Sequence, residues 1–258
     1  MLAFDDTGAG DPVVLIHGWA ANRRIWHHAV PSLAGRRVLA IDVPGFGASP
    51  AVGPGFDLEA VAAEIWRGLP QTGPVTLVGH SLGSALALTA ASLEPERTRQ
   101  LVLCAPAGLK PIPAFASGPA GQLGALAIDL RRRALPWAAS SPLGRRLLLG
   151  ASSASGDPVS EDDVIAMVTA SDGATRVAEA LESVTRADLR PLLKHAPAEL
   201  GVICGARDRV IPPSTIDVVL EHRPDAVTEL VPEAGHVPMV ERPTVFAAVL
   251  RQVLDRLG

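Results

Sequence analysis

Apolar positions in the first hundred residues fall in short unbroken runs rather than in alternation with polar ones. PVVLIHG, RRVLAIDVPG, PVTLVGH and RQLVLCAPAG are each rich in aliphatic or β-branched residues and each runs into a glycine. A run that is apolar throughout predicts a strand covered on both faces, as in a parallel sheet. The stretch SLGSALALTAASLEPE, after the third run, predicts a helix. Strands and helices joined by right-handed crossovers predict an α/β fold with a mostly parallel sheet covered on both sides.

The rhythm breaks after about Gly108. Up to about Leu193 no strand-like run occurs. Segments rich in proline, glycine and alanine (KPIPAFASGPAGQLG, ASSASGDP) separate helical stretches. Ser160, three residues before Asp163, has the character of an N-cap, and ATRVAEALESVTRADL is helical in composition. Strand-like runs resume with AELGVICGARD and AVTELVPEAGH, and PTVFAAVLRQVLDRL closes the chain with helical spacing. The pattern predicts one sheet domain from 1–109 and 188–258, interrupted by a helical insertion at 110–187. No internal repeat is present.

A length of 258 residues suits such a domain, and 48% hydrophobic with 19% charged residues suits a substantial core. The net charge of −4 and pI near 6.0 argue against nucleic acid or anionic lipid as partners. With aromatics at 3% and no tyrosine, platforms for stacking bases are scarce. The N-terminal MLAFDDTGAGDP is acidic and lacks the basic and apolar regions of a signal peptide. No apolar run reaches the roughly 18 residues of a membrane span. These features predict a cytoplasmic protein that acts on a small molecule, as monomer or homodimer. Cys104 and Cys204 lie in strand-like runs and read as small core side chains with free thiols.

The sharpest local signal is Gly79-His80-Ser81-Leu82-Gly83, a G-x-S-x-G between a predicted strand and a predicted helix. A serine at so tight a turn takes a strained backbone conformation, and flanking glycines leave room for it. Its hydroxyl needs a base within hydrogen-bond reach. Of the seven histidines, His27 and His28 read as a solvated face, and His195 and His222 as loop or surface positions. His80 adjoins the serine and is assigned to packing or to the substrate side, with Gly18. His236 follows a strand on a glycine-containing loop, at the sheet edge where catalytic residues gather. Asp208, shortly after GVICG, reaches the same edge and supplies the acceptor that orients an imidazole. Asp42, followed by Pro44-Gly45-Phe46-Gly47, reads as a turn residue. Leu82 N–H, at the helix start, and Trp19 N–H, after Gly18, are the expected oxyanion donors. No HExxH, zinc-ligand spacing, dinucleotide fingerprint or P-loop occurs, so neither metal nor cofactor is expected.

The ordered segments GDPVVLIHGW, IDVPGFGAS, LVGHSLGSALAL, GARDRVIP and PEAGHVPMVERP closely resemble the α/β-hydrolase superfamily, over nearly the whole chain. The resemblance implies a sheet of about eight strands with a helical cap inserted after the sixth. It implies Ser81 as nucleophile, Asp208 as acid and His236 as base, with Trp19 and Leu82 as oxyanion donors. Serine at position 81 separates the chain from dehalogenases and epoxide hydrolases, whose nucleophile is aspartate. In this likeness Cys104 and Cys204 fall on neighbouring strands at similar depth. The expected reaction is hydrolysis of a small, mostly apolar ester or lactone through an acyl-enzyme. Carbon–carbon bond hydrolysis of 1,3-dicarbonyl compounds, acyl transfer, haloperoxidase-like activity and a non-catalytic receptor role are the alternatives. Leu147, Leu148, Leu149, Ile165, Met167 and Val168 suggest an apolar lining for the cap. Arg131 to Arg133, Arg145 and Arg146 read as a solvated face, with carboxylate recognition as the alternative.

Overall fold

The computed structural model describes residues 1–70, 73–111, 141, 143–144, 160, 163, 173–196 and 199–258. The apolar tract and arginine cluster of the insertion lie outside the described residues. Seven strands form one sheet: β1 (Phe4–Gly8), β2 (Asp11–Ile16), β3 (Arg36–Ile41), β4 (Val75–His80), β5 (Thr98–Cys104), β6 (Glu199–Gly205) and β7 (Val227–Val231). Their order is β1-β3-β2-β4-β5-β6-β7. All neighbours run parallel except β1, which pairs antiparallel with β3 from Phe4↔Ile41 to Gly8↔Arg37.

Six of these strands are the six apolar runs. The seventh, β1, reads FDDTG and buries almost nothing, so no hydrophobic run announces it. It exists because the edge of β3 offers it a ladder. The sheet thus has seven strands among the described residues against about eight expected, and the segment 110–187 follows the fifth strand instead of the sixth.

Side chains alternate between two cores, as strand geometry requires. Val14, Ile16, Leu39 and Ile41 face one layer with α1 (Leu58–Gly68) and α2 (Leu82–Leu93). Val13, Leu15, Val38 and Ala40 face the other, with Trp26 from the segment after β2 and Phe246 from the last helix. The remaining α-helices among the described residues are α3 (Val177–Arg186), α4 (Arg190–Leu193), α5 (Thr215–His222), α6 (Pro238–Glu241) and α7 (Pro243–Arg256). His222 is the last residue of α5, not a loop residue, and its Nδ1 lies 3.0 Å from the Val218 carbonyl oxygen one turn back. α2 is buried on nearly every side, which its apolar composition allows and an amphipathic surface helix would not.

Cys104 pairs in register with Ile203, one residue short of Cys204. That offset sends the two thiols into opposite cores, so they do not meet, although both are free and buried. Burial pushes the Cys104 thiol far up and the Cys204 thiol up to about 12. No helix among the described residues is long and apolar enough to cross a membrane.

Candidate active site

Ser81 follows β4 and caps α2 with φ 53° and ψ −115°, a backbone conformation that L side chains rarely adopt. Such a conformation costs on the order of 1–3 kcal/mol and persists only where its surroundings enforce it. The flanking glycines show how. A β-carbon on Gly79 would lie 2.2 Å from the Gly83 carbonyl oxygen, and one on Gly83 would lie 2.2 Å from that of Ile16. The strand and the helix therefore approach backbone to backbone, and the serine between them is pushed out of the turn. Ser84 Oγ–H locks the helix start by donating to the Gly79 and Cys104 carbonyls, at 2.7 and 2.9 Å.

His236, on the loop after β7, meets this hydroxyl. Its Nε2 is 3.1 Å from Ser81 Oγ and its Nδ1 is 2.8 Å from Asp208 Oδ2. The carboxylate only accepts, so Nδ1 carries the proton and Nε2 presents a lone pair to the serine hydroxyl. The Asp208 side chain is fully buried. Its second oxygen, Oδ1, accepts from the amides of Val210 and Ile211 at 2.8 and 3.0 Å. Three donors around one carboxylate fix its orientation.

The loop that carries His236 has its own anchor. Glu241, in α6, accepts from Gly235 N–H at 3.0 Å and from Val237 N–H at 2.9 Å, the amides on either side of the histidine. Below, a β-carbon on Gly205 would lie 2.0 Å from the Gly235 carbonyl oxygen, so only glycine lets β6 pass under this loop. Sequence reasoning missed Glu241. Its signal was an acid five residues after the histidine, inside the PEAGHVPMVERP segment.

His80 is 3% exposed and its Nε2–H donates to the His236 carbonyl oxygen at 2.7 Å. The two rings lie 5.0 Å apart. Burial first, then the neighbouring charge on His236, pushes the His80 pKa down to about 3. A neutral His80 does not oppose a positive charge on His236. This places His80 beneath the histidine loop. Gly18 lies against it: a β-carbon there would sit 2.8 Å from His80 Nδ1 and 3.2 Å from Ser81 Cβ. His17 is fully buried, donates from Nδ1 to the Gly18 carbonyl at 2.8 Å, and accepts from Val43 N–H at 2.9 Å. Burial lowers its pKa to about 4.

Trp19 follows this glycine, and Leu82 opens α2, where a helix N–H has no intrahelical acceptor. The Trp19 ring donates through Nε1 to the Val177 carbonyl at 2.6 Å, tying the β2 loop to the first residue of α3. Asp42 lies fully buried in the loop directly after β3, where it accepts from the amides of Arg23 and Ala48 at 2.9 and 2.8 Å. A hydroxyl, an imidazole in the accepting tautomer and a buried carboxylate in hydrogen-bonded series can pass a proton off an attacking oxygen.

Sheet, elbow and hydrogen-bonded series together define a serine hydrolase fold of the α/β kind. The chain matches the Alpha/beta hydrolase family over residues 13–249, and it belongs to that family as a hydrolase of the ester-cleaving kind. It is 33% identical to the pimeloyl-[acyl-carrier protein] methyl ester esterase of Methylococcus capsulatus, over 93% of this chain and 92% of that protein. The protein of the same name from Chromobacterium violaceum is 31% identical, over 98% of each chain. Among solved structures, a thermophilic esterase from Thermogutta terrifontis superposes with a TM-score of 0.76 at 26% identity, over 99% of this chain and 93% of that one. A bromoperoxidase from Bacillus anthracis shares the fold with a TM-score of 0.81 at 23% identity, over 98% and 95%.

Proposed function

We propose that the chain is a cytoplasmic serine hydrolase that cleaves a small, mostly apolar carboxylic ester or lactone, a methyl ester foremost, through an acyl-enzyme on Ser81. Ser81 Oγ attacks the carbonyl carbon while His236 Nε2 takes the hydroxyl proton, and the imidazolium is stabilised by Asp208. The carbonyl oxygen becomes an oxyanion held by the N–H groups of Leu82 and Trp19. When the carbon–oxygen bond breaks, His236 returns the proton to the leaving alcohol. Water then loses a proton to the same nitrogen and attacks the acyl carbon, and as the bond to Ser81 Oγ breaks His236 returns that proton to Oγ.

The observation that carries this reading is the continuous line from Ser81 Oγ through His236 to Asp208, at 3.1 and 2.8 Å. The methyl ester preference is supported by two relatives of at least 31% identity whose name is that of a methyl ester esterase. The helical insertion, 110–187, is read as the roof of the acyl pocket.

The test is a panel of methyl and p-nitrophenyl esters of increasing acyl length, with lactones and vinylogous diketones alongside. Turnover of methyl esters, lost in Ser81→Ala, is the expected result. Turnover of diketones with inert esters would assign carbon–carbon cleavage instead. Turnover that survives in Ser81→Ala would overturn the nucleophile.

A further inference from the structure

A second cluster of chemically capable side chains lies away from Ser81. His27 and His28 follow the 3-10 helix Arg23–Trp26, between β2 and β3, whereas Asp163 belongs to the segment between β5 and β6. Although 135 residues separate His28 from Asp163, both imidazoles point Nε2 at the same carboxylate oxygen, Asp163 Oδ1, at 3.1 Å from His27 and 3.0 Å from His28. The three ligand atoms lie within 4.8 Å of one another.

The protons decide what belongs between them. His27 Nδ1 lies 2.8 Å from the Arg24 carbonyl oxygen, which can only accept, so Nδ1 carries the hydrogen. In the neutral ring Nε2 is then a lone pair, and it faces a carboxylate oxygen that is also a lone-pair donor. Two such atoms 3.1 Å apart can share one cation, a proton or a metal ion. His28 stacks on His27 with ring centroids 3.8 Å apart, so the two Nε2 atoms converge on one carboxylate oxygen. A single divalent ion could be held by both nitrogens and the carboxylate oxygen at once.

The geometry has the right scale. Zinc bonds of about 2.0–2.1 Å in a tetrahedron put neighbouring ligand atoms about 3.3 Å apart. The observed separations of 3.0 and 3.1 Å are slightly contracted from that edge. Outer partners are also in place. The Arg24 carbonyl fixes the His27 tautomer, as backbone carbonyls do for metal-bound histidines. Asp163 Oδ2 accepts from Ser160 Oγ–H at 2.6 Å, which leaves Oδ1 free to turn toward the histidines. The carboxylate is nearly buried and the histidines are partly exposed, so an ion has a way in. Two imidazoles and one carboxylate suit zinc, and three protein ligands leave a fourth position to water.

We propose that His27, His28 and Asp163 form a zinc site that pins the insertion between β5 and β6 to the loop after β2. This loop already holds the insertion through the Trp19–Val177 hydrogen bond, so the ion would add a second fastening. The site is independent of the Ser81 chemistry. No sequence spacing reveals it, because its third ligand arrives from a distant segment.

The experiment is calorimetric titration of chelator-treated full-length protein with zinc chloride, repeated with cobalt(II) as a visible-absorbing stand-in. One ion per chain is expected, with the intense cobalt bands of a four-coordinate site. His28→Gln and Asp163→Asn should each weaken binding by more than about a hundredfold, and Ser160→Ala by about tenfold. His222→Gln and Ser81→Ala should bind as the wild type does. Thermal unfolding adds a second readout: zinc should raise the Tm of the wild type but not that of Asp163→Asn. No saturable zinc binding to the wild type at up to about 1 mM would overturn the proposal, as would undiminished binding in Asp163→Asn.

Discussion

Asp208→Asn removes one charge and almost no volume, and the hydrogen bonds around the side chain determine its effect. Asparagine offers one carbonyl oxygen where aspartate offers two. The side chain is fully buried, so water does not make up the difference. If the amide turns its NH2 toward Val210 and Ile211, two buried N–H donors lose their acceptor, at about 1–3 kcal/mol each. If it turns its oxygen to them, both stay satisfied and the NH2 faces His236 Nδ1. That nitrogen must then accept, which moves the imidazole proton to Nε2 and leaves nothing to take the Ser81 proton. The second arrangement is favoured by roughly 2–6 kcal/mol, so the competent tautomer falls to a few percent or far less. Loss of the charge facing the imidazolium adds to this. The expected fall in kcat is between about 10³- and 10⁴-fold, with the fold unchanged. Steady-state hydrolysis of p-nitrophenyl acetate measures the rate, and nitrogen-15 NMR of the histidines reports which ring nitrogen is protonated. A kcat within about tenfold of the wild type, or a proton still on Nδ1, would refute the reasoning.

Glu241→Gln leaves a buried donor facing one of the two amides that flank His236, so kcat should drop by about 10- to 100-fold with KM little changed. An equal loss in both parameters would make Glu241 a binding residue. Ser81→Gly releases the backbone strain at φ 53° whereas Ser81→Ala keeps it, so the glycine variant should melt about 2–4 °C higher. Equal melting temperatures would deny the strain. Burial lowers the pKa of His17 to about 4 and that of His80 to about 3, so between these values and pH of about 6.5 the unfolded chain binds protons that the folded one refuses. Stability is therefore full above pH 6.5 or so and falls on acidification, by roughly 3 kcal/mol for His17 alone by pH 4. Denaturant midpoints that stay level over this range would contradict it.

The parallel part of the sheet was legible because strands buried on both faces must be apolar throughout, and six such runs stand in the sequence. The elbow was legible too: no other arrangement of Gly79, Ser81 and Gly83 lets β4 and α2 approach so closely. What escaped depends on partners instead of patterns. β1 is polar and owes its place to the free edge of β3. Glu241 is one acid among many until the fold brings it onto the amides around His236. His80, read as packing or substrate-facing, is defined by a single bond to the His236 carbonyl, 156 residues away. The opposed thiols of Cys104 and Cys204 arise from a one-residue offset between β5 and β6, which no composition reveals.

The central claim is that Ser81 is the nucleophile. Treatment with an alkyl fluorophosphonate, then intact-mass and peptide mapping, tests it most directly. A single adduct on the peptide carrying Ser81, absent in Ser81→Ala and much slowed in His236→Ala, is the predicted result. An adduct on any other residue, or an unmodified chain that still hydrolyses esters, would contradict it.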